Sequence, residues 1–143
     1  MNPSGPVDPM QVPASQPLMI LVVDDDPDMR FYIRSCLQAG VPAAGRVIEA
    51  ADGVEALTLV RAGAVDVVIT DIVLPRLDGH GLCDVIKRDP QLSHIPVLLI
   101  SGQPARNGHG DGFLPKPFNA RQLREAFEHA APGGERPRPW VAD

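Results

Sequence analysis

"LMILVVDDDPDMRFYIRSCLQAG", residues 18–40, changes its hydrophobic rhythm once, at an acidic cluster. Leu18 to Val23 is a continuous apolar run, short enough to be a strand buried on both faces. After Asp24, Asp25 and Asp26 the apolar residues are Met29, Tyr32, Ile33, Cys36 and Leu37, the spacing of one helix face. Asp26 is placed to cap that helix, Pro27 suits its first turn and Gly40 marks its stop. A strand therefore runs directly into a helix across three carboxylates.

The rest of the chain repeats that unit. Further short apolar runs are Val47-Ile48, Val65 to Ile69, Pro96 to Ile100 and Phe113-Leu114. Between and after them lie helical patterns. Asp52 opens one through Val54, Leu57 and Val60, with Glu55 where a capping box has its acid and Gly63 as the end. Asp78 opens another through Leu82, Val85 and Ile86, and Asn119 a last one through Leu123, Ala126, Phe127 and Ala130. Alternating strands and helices predict an α/β fold, with a parallel sheet covered by helices on both faces.

Composition bounds what such a fold can do. A chain of 143 residues that is 44% apolar has the length of one domain and enough material for a core. Its 18 acids against 13 bases, a net charge of -5, argue against a nucleic-acid face. Cys36 and Cys83 have no metal-ligand spacing and read as free thiols in a reducing cytoplasm. Residues 1–17 carry Pro3, Pro6, Pro9, Pro13 and Pro17 and no basic start before an apolar core, so they read as a disordered leader, neither signal peptide nor membrane anchor. Residues 132–143 read as a disordered tail, and Trp140 within it as unstructured. His80, His94, His109 and His129 show no metal spacing and read as solvated surface residues.

The remaining polar residues stand at strand ends: Asp24, Asp25 and Asp26 after the first run, Asp71 after the third, Ser101 after the fourth and Lys116 after the fifth. In an open parallel sheet those ends share one edge, where such folds bind ligands. Carboxylates gathered there repel by about 4 kcal/mol per pair at ~4 Å and an effective dielectric near 20. One lysine cannot offset that, so a divalent cation is implied. All-oxygen donors suit magnesium best, with manganese as a substitute. A metal beside a lysine and a hydroxyl suits a phosphoryl group, whose oxygens all three can neutralise or hydrogen-bond.

Four segments, "LVVDDDPDMR", "VDVVITDIVLPRLDG", "PVLLISG" and "FLPKPF", resemble the signature segments of the receiver domain of two-component response regulators, with the match running from Leu18 to Ala131. The resemblance implies a doubly wound, flavodoxin-like sheet of order 2-1-3-4-5, an order for which a chemotaxis receiver is itself a standard example. It implies Asp71 as phosphoacceptor, Asp24 and Asp25 as the magnesium-binding pair, and the backbone carbonyl of Val73 as a further ligand. Ser101 matches the hydroxyl that reaches for the phosphoryl oxygen, Lys116 the lysine that pairs with the phosphate and whose bond to Pro117 is expected to be cis, and Phe113 the aromatic switch. Val73 and Gln103 fall where the family tunes the lifetime of its phosphoryl group.

By that resemblance the chain is a single-domain, cytoplasmic response regulator and no metabolic enzyme. It catalyses only its own magnesium-dependent phosphorylation and dephosphorylation. A sensor histidine kinase or histidine phosphotransfer protein supplies the phosphoryl group, and a downstream protein, unknown, reads the result. Neither nucleic acid nor membrane is a partner, and the chain is a monomer or weak dimer. Two other readings remain open: a phosphorylation-independent scaffold on the same fold, and an aspartate-nucleophile phosphatase using the Asp24-x-Asp26 spacing.

One segment departs from the family. Only 14 residues separate Ser101 from Lys116, about seven fewer than usual, or roughly two helical turns. Gly102, Pro104, Gly108, Gly110 and Gly112 crowd it, with no apolar repeat. This resembles a subgroup of receivers in which a loop replaces the fourth of five helices, so that helix is expected to be shortened or missing. The run 108–112 reads as a flexible loop, and the sheet face over the last two strands is expected to lose cover.

Overall fold

The computed structural model describes residues 17–42, 44–103 and 110–131. The leader up to residue 16, the tail at 132–143 with Trp140, His109 and the middle of the short crossover lie outside the described residues. Five strands, β1 (Leu18–Val23), β2 (Ala44–Ala50), β3 (Val67–Asp71), β4 (Val97–Ser101) and β5 (Gly112–Pro115), form one sheet of order β2-β1-β3-β4-β5. All four pairings are parallel. Among the described residues there are four helices: α1 (Pro27–Gly40), α2 (Gly53–Arg61), α3 (Gly79–Arg88) and α4 (Ala120–Ala130). This is the flavodoxin-like receiver fold, with no helix between β4 and β5 among the described residues.

The continuous apolar runs are explained by two cores. Successive strand residues point to opposite faces. Ile20, Val22, Ile69, Leu98, Ile100 and Leu114 meet Ile33 and Leu37 of α1 and Leu123 and Phe127 of α4. Leu21, Val23, Val68 and Leu99 meet Ala56 and Val60 of α2 and Leu82, Cys83 and Ile86 of α3. Each helix starts on a side-chain cap, Asp26, Asp52, Asp78 or Asn119, that accepts an amide of the first turn. Such a cap stabilises a helix end by about 1 kcal/mol.

Several expectations need correcting. The buried face of α2 is Gly53, Ala56 and Val60, and Val54 is exposed. Val60 is buried and Leu57 packs half-buried on the core, so of the expected stripe only Val54 is misplaced. Tyr32 is likewise largely exposed, while Ile33 and Leu37 carry α1. His80 and His94 are half-buried rather than solvated. Cys83 is buried, Cys36 half-buried, and both are free.

The crossover also differs from a loose loop where it is described. Asp111 accepts the Val97 amide at 2.8 Å and pairs with Lys87 Nζ at 2.6 Å. Lys87 also donates to the Ile95 carbonyl at 2.7 Å, so the end of α3, the start of β4 and the approach to β5 are tied together. Gly110 sits at φ 77°, and a Cβ there would lie 3.1 Å from the Leu99 side chain. The chain thus packs directly on the sheet, and Val97 and Leu99 are fully buried. The expected loss of cover over these strands does not occur at these residues.

Asp111→Ala should lower unfolding stability by about 1–3 kcal/mol, because the Val97 amide loses its acceptor. Urea melts check it; a loss under about 0.5 kcal/mol would mean that the crossover is held elsewhere.

Candidate functional site

The strand ends converge as parallel pairing requires. β1 ends at Val23, opposite Ala50 and Thr70, so Asp24 leaves the sheet beside Asp71. Asp71 pairs with Ile100, one residue before Ser101, and Ser101 pairs with Pro115. The Lys116 amide then donates to the Ser101 carbonyl at 2.8 Å. Four elements therefore deliver Asp24, Asp25, Asp71, Ser101 and Lys116 to one edge.

Within that edge the carboxylates of Asp24, Asp25 and Asp71 each place an oxygen within 4.8 Å of the others. Lys116 Nζ lies 3.2 Å from Asp71 Oδ2 and 3.6 Å from Asp24 Oδ2. Asp24 is 2% exposed and Asp71 9%, whereas Asp25 faces solvent. Burial, more than any other cause, pushes the Asp24 carboxyl above its usual range. The charges of Asp71 and Asp25 add to that rise; the Asp26 amide and Lys116 oppose it without cancelling it. Three clustered carboxylates with one ammonium fit a hard divalent cation, since the donors are all oxygen and the local charge is negative. The cluster could hold a metal.

The loops hold these groups through main-chain contacts. Asp24 Oδ1 accepts the Asp26 amide at 2.9 Å, and Asp26 in turn caps Asp28 N at 2.9 Å. Asp26 is therefore engaged as a helix cap. After β3 the chain turns back so tightly that a Cβ on Gly79 would lie 2.3 Å from the Asp71 carbonyl oxygen. That turn rests on α2, where a Cβ on Gly53 would lie 1.9 Å from the Leu77 carbonyl oxygen, and Arg76 at φ 72° reaches Asp52 at 3.5 Å. Only glycine permits either approach. Asp78, the residue before Gly79, caps α3 through Gly81 N at 2.8 Å.

The other expected residues are placed as follows. Ser101 is buried, and its Oγ accepts the Gln103 amide at 3.0 Å. Val73 is 62% exposed, and its amide points back to Asp71 Oδ1 at 3.4 Å. Phe113 is half-buried against the α2 and α3 core, opposite Leu99 on β4. The Lys116-Pro117 peptide is cis. Sequence reasoning missed Arg30, which bonds the Asp24 carbonyl at 2.6 Å, because a charge on a helix reads as a solvated face.

The chain matches the response regulator receiver domain over residues 20–128. It belongs to that family. Chemotaxis protein CheY-3 of Vibrio cholerae is 31% identical over 126 residues, 83% of this chain and 95% of that protein. Sensor histidine kinase TmoS of Ectopseudomonas mendocina is 33% identical over 121 residues, which are 80% of this chain and 12% of the kinase. The receiver thus spans about an eighth of TmoS and nearly all of CheY-3. The solved chemotaxis response regulator CheY4 of Vibrio cholerae superposes with a TM-score of 0.71 at 27% identity, covering 80% of this chain and 99% of that one. The chain carries a CheY-like receiver domain of two-component signalling. Among the described residues no helix is long and apolar enough to cross a membrane.

The raised Asp24 carboxyl fixes a sign for stability. A carboxyl whose folded value lies above its unfolded one favours folding at low pH and costs stability as pH rises through the folded value. In the presence of a chelator, Asp24→Asn should therefore raise stability at neutral pH by about 1 kcal/mol, or roughly 4 °C in Tm. The gain should vanish near pH ~3, where the parent carboxyl is protonated. Thermal melts across pH check it, and a neutral-pH loss in the variant would contradict it.

Proposed function

We propose that the domain accepts a phosphoryl group on Asp71 from a histidine kinase or histidine phosphotransfer protein, and that the β4 to β5 region transmits the change to a protein partner. The observation that carries this reading is the placement of Lys116 Nζ 3.2 Å from Asp71 Oδ2, on the same edge as Asp24 and Asp25. An Asp71 oxygen attacks the phosphorus of a phosphohistidine; the new P–O bond forms as the P–N bond breaks, and the imidazole leaves with the electron pair. Lys116 pairs with the charge of the transferring group. Magnesium, or manganese in its place, held by Asp24, Asp25, Asp71 and the carbonyl of Val73, would supply further charge neutralisation on the phosphoryl oxygens. Water attack on the acyl phosphate later resets the site, with Val73 and Gln103 exposed at its margin.

Ser101 couples the site to the crossover. Its oxygen already accepts from the Gln103 amide, which leaves the hydroxyl proton free to donate. A phosphoryl oxygen on Asp71 would accept a hydrogen bond from that hydroxyl, and the main chain at Gln103 would move with Ser101. Phosphorylation brings roughly -1.5 to -2 charge, and Phe113, half-buried opposite Leu99, is the side chain placed to follow. With only 14 residues between Ser101 and Lys116, the path from the site to β5 is short. Domain bounds of 18–131 fit the reading. The phosphatase alternative finds less support, because Asp26, its required second acid, is engaged in capping α1.

Incubation with acetyl phosphate and magnesium, read by intact-protein mass spectrometry, should add one phosphoryl group to the parent. Asp71→Asn should abolish it. Label that persists in Asp71→Asn but disappears in Asp24→Asn would favour the phosphatase, and no label on the parent would favour a scaffold.

A further inference from the structure

The acid pair has a clamp that its own carboxylates do not provide. The Arg30 guanidinium donates through Nη1 to the Asp24 carbonyl oxygen at 2.6 Å and through Nε to Glu49 Oε1 at 2.8 Å. That carbonyl belongs to the peptide joining Asp24 to Asp25, so its direction sets how the two side chains stand to one another. From the other side, the Asp24 amide donates to the Ala50 carbonyl at 3.1 Å, at the end of the strand that carries Glu49. Glu49 is held in turn by Arg34 at 2.9 Å. The two peptides that flank Asp24 are thus both held, the one before it by the main chain of β2 and the one joining it to Asp25 by a braced arginine of α1.

We propose that Arg30 is a positioning residue for the Asp24–Asp25 pair, with Glu49 as its brace, and that the two set the affinity of the site for a divalent cation. This rests on the reading of the acidic edge as a magnesium site. The like charges of Asp24, Asp25 and Asp71 push the loop apart when nothing neutralises them. A loop free to relax would separate the acids and bind a cation less well. A planar guanidinium, with donors fixed on two separate nitrogens, resists that relaxation, whereas the single nitrogen of a lysine cannot occupy both the Nη1 and the Nε positions. The core side of α1 is supplied by Ile33 and Leu37, so Arg30 is not needed to bury the helix.

Calorimetric titration of the full chain with magnesium chloride tests the proposal. Arg30→Met and Arg30→Lys should each weaken magnesium binding about ten-fold or more, the usual effect of losing an outer support of a metal site, and Glu49→Gln should act in the same direction. Circular dichroism and a thermal melt with chelator confirm that each variant is folded; if the methionine variant is not, the lysine variant decides. Folded Arg30 variants that bind magnesium within about two-fold of the parent would overturn the proposal, since a purely structural arginine changes Tm and leaves affinity alone. Asp25→Asn separates the two failures. Parent binding that Asp25→Asn removes and Arg30→Lys leaves intact sinks Arg30 alone; a parent that binds no magnesium sinks the reading of the site and this inference with it.

Discussion

Three carboxylates within 4.8 Å of one another, faced by a single ammonium, are the constraint on which the rest of this receiver depends. Such an arrangement costs folding stability, and burial of Asp24 makes the cost larger. It persists because the carboxylates sit on main chain that the sheet has already fixed. Each acid follows a strand locked between neighbours, and Lys116 is carried in by the bond between its amide and Ser101. The frustration is local and the scaffold is rigid. That combination favours a cation at the edge, because a cation relieves repulsion that the protein cannot relieve alone.

The loops around the edge serve the same end. Gly79 and Gly53 let the segment after Asp71 fold back against the sheet and rest on α2. Arg30 and Glu49 tie the Asp24–Asp25 peptide to β2. On the far side, Lys87 and Asp111 fix the end of the shortened crossover to α3 and β4.

Much of the fold was legible because its signals are redundant. Strands buried on both faces read as unbroken apolar runs, and Asp26, Asp52, Asp78 and Asn119 each announced a helix start that the structure uses. The residues that meet at the edge were legible for a related reason: strand ends in a parallel sheet converge, so Asp24, Asp71, Ser101 and Lys116 could be brought together from position alone. What escaped depends on distance rather than pattern. Gly53 is buried because the Leu77 carbonyl of the turn after β3 packs against it, a contact that hydrophobicity does not encode. Arg30 and Glu49 are 19 positions apart and look like two solvated charges until β2 and α1 are folded together. Asp111, in a glycine-rich run, gave no sign of its bond to Val97.

A crystal structure of the protein grown with magnesium and beryllium fluoride, a tetrahedral stand-in for the phosphoryl group, tests the central claim most directly. The account predicts the fluoride adduct on a carboxylate oxygen of Asp71, with Lys116 Nζ and Ser101 Oγ both at hydrogen-bond distance from its fluorines. An adduct on Asp24, or a site that takes up neither metal nor fluoride at saturating concentrations, would contradict it.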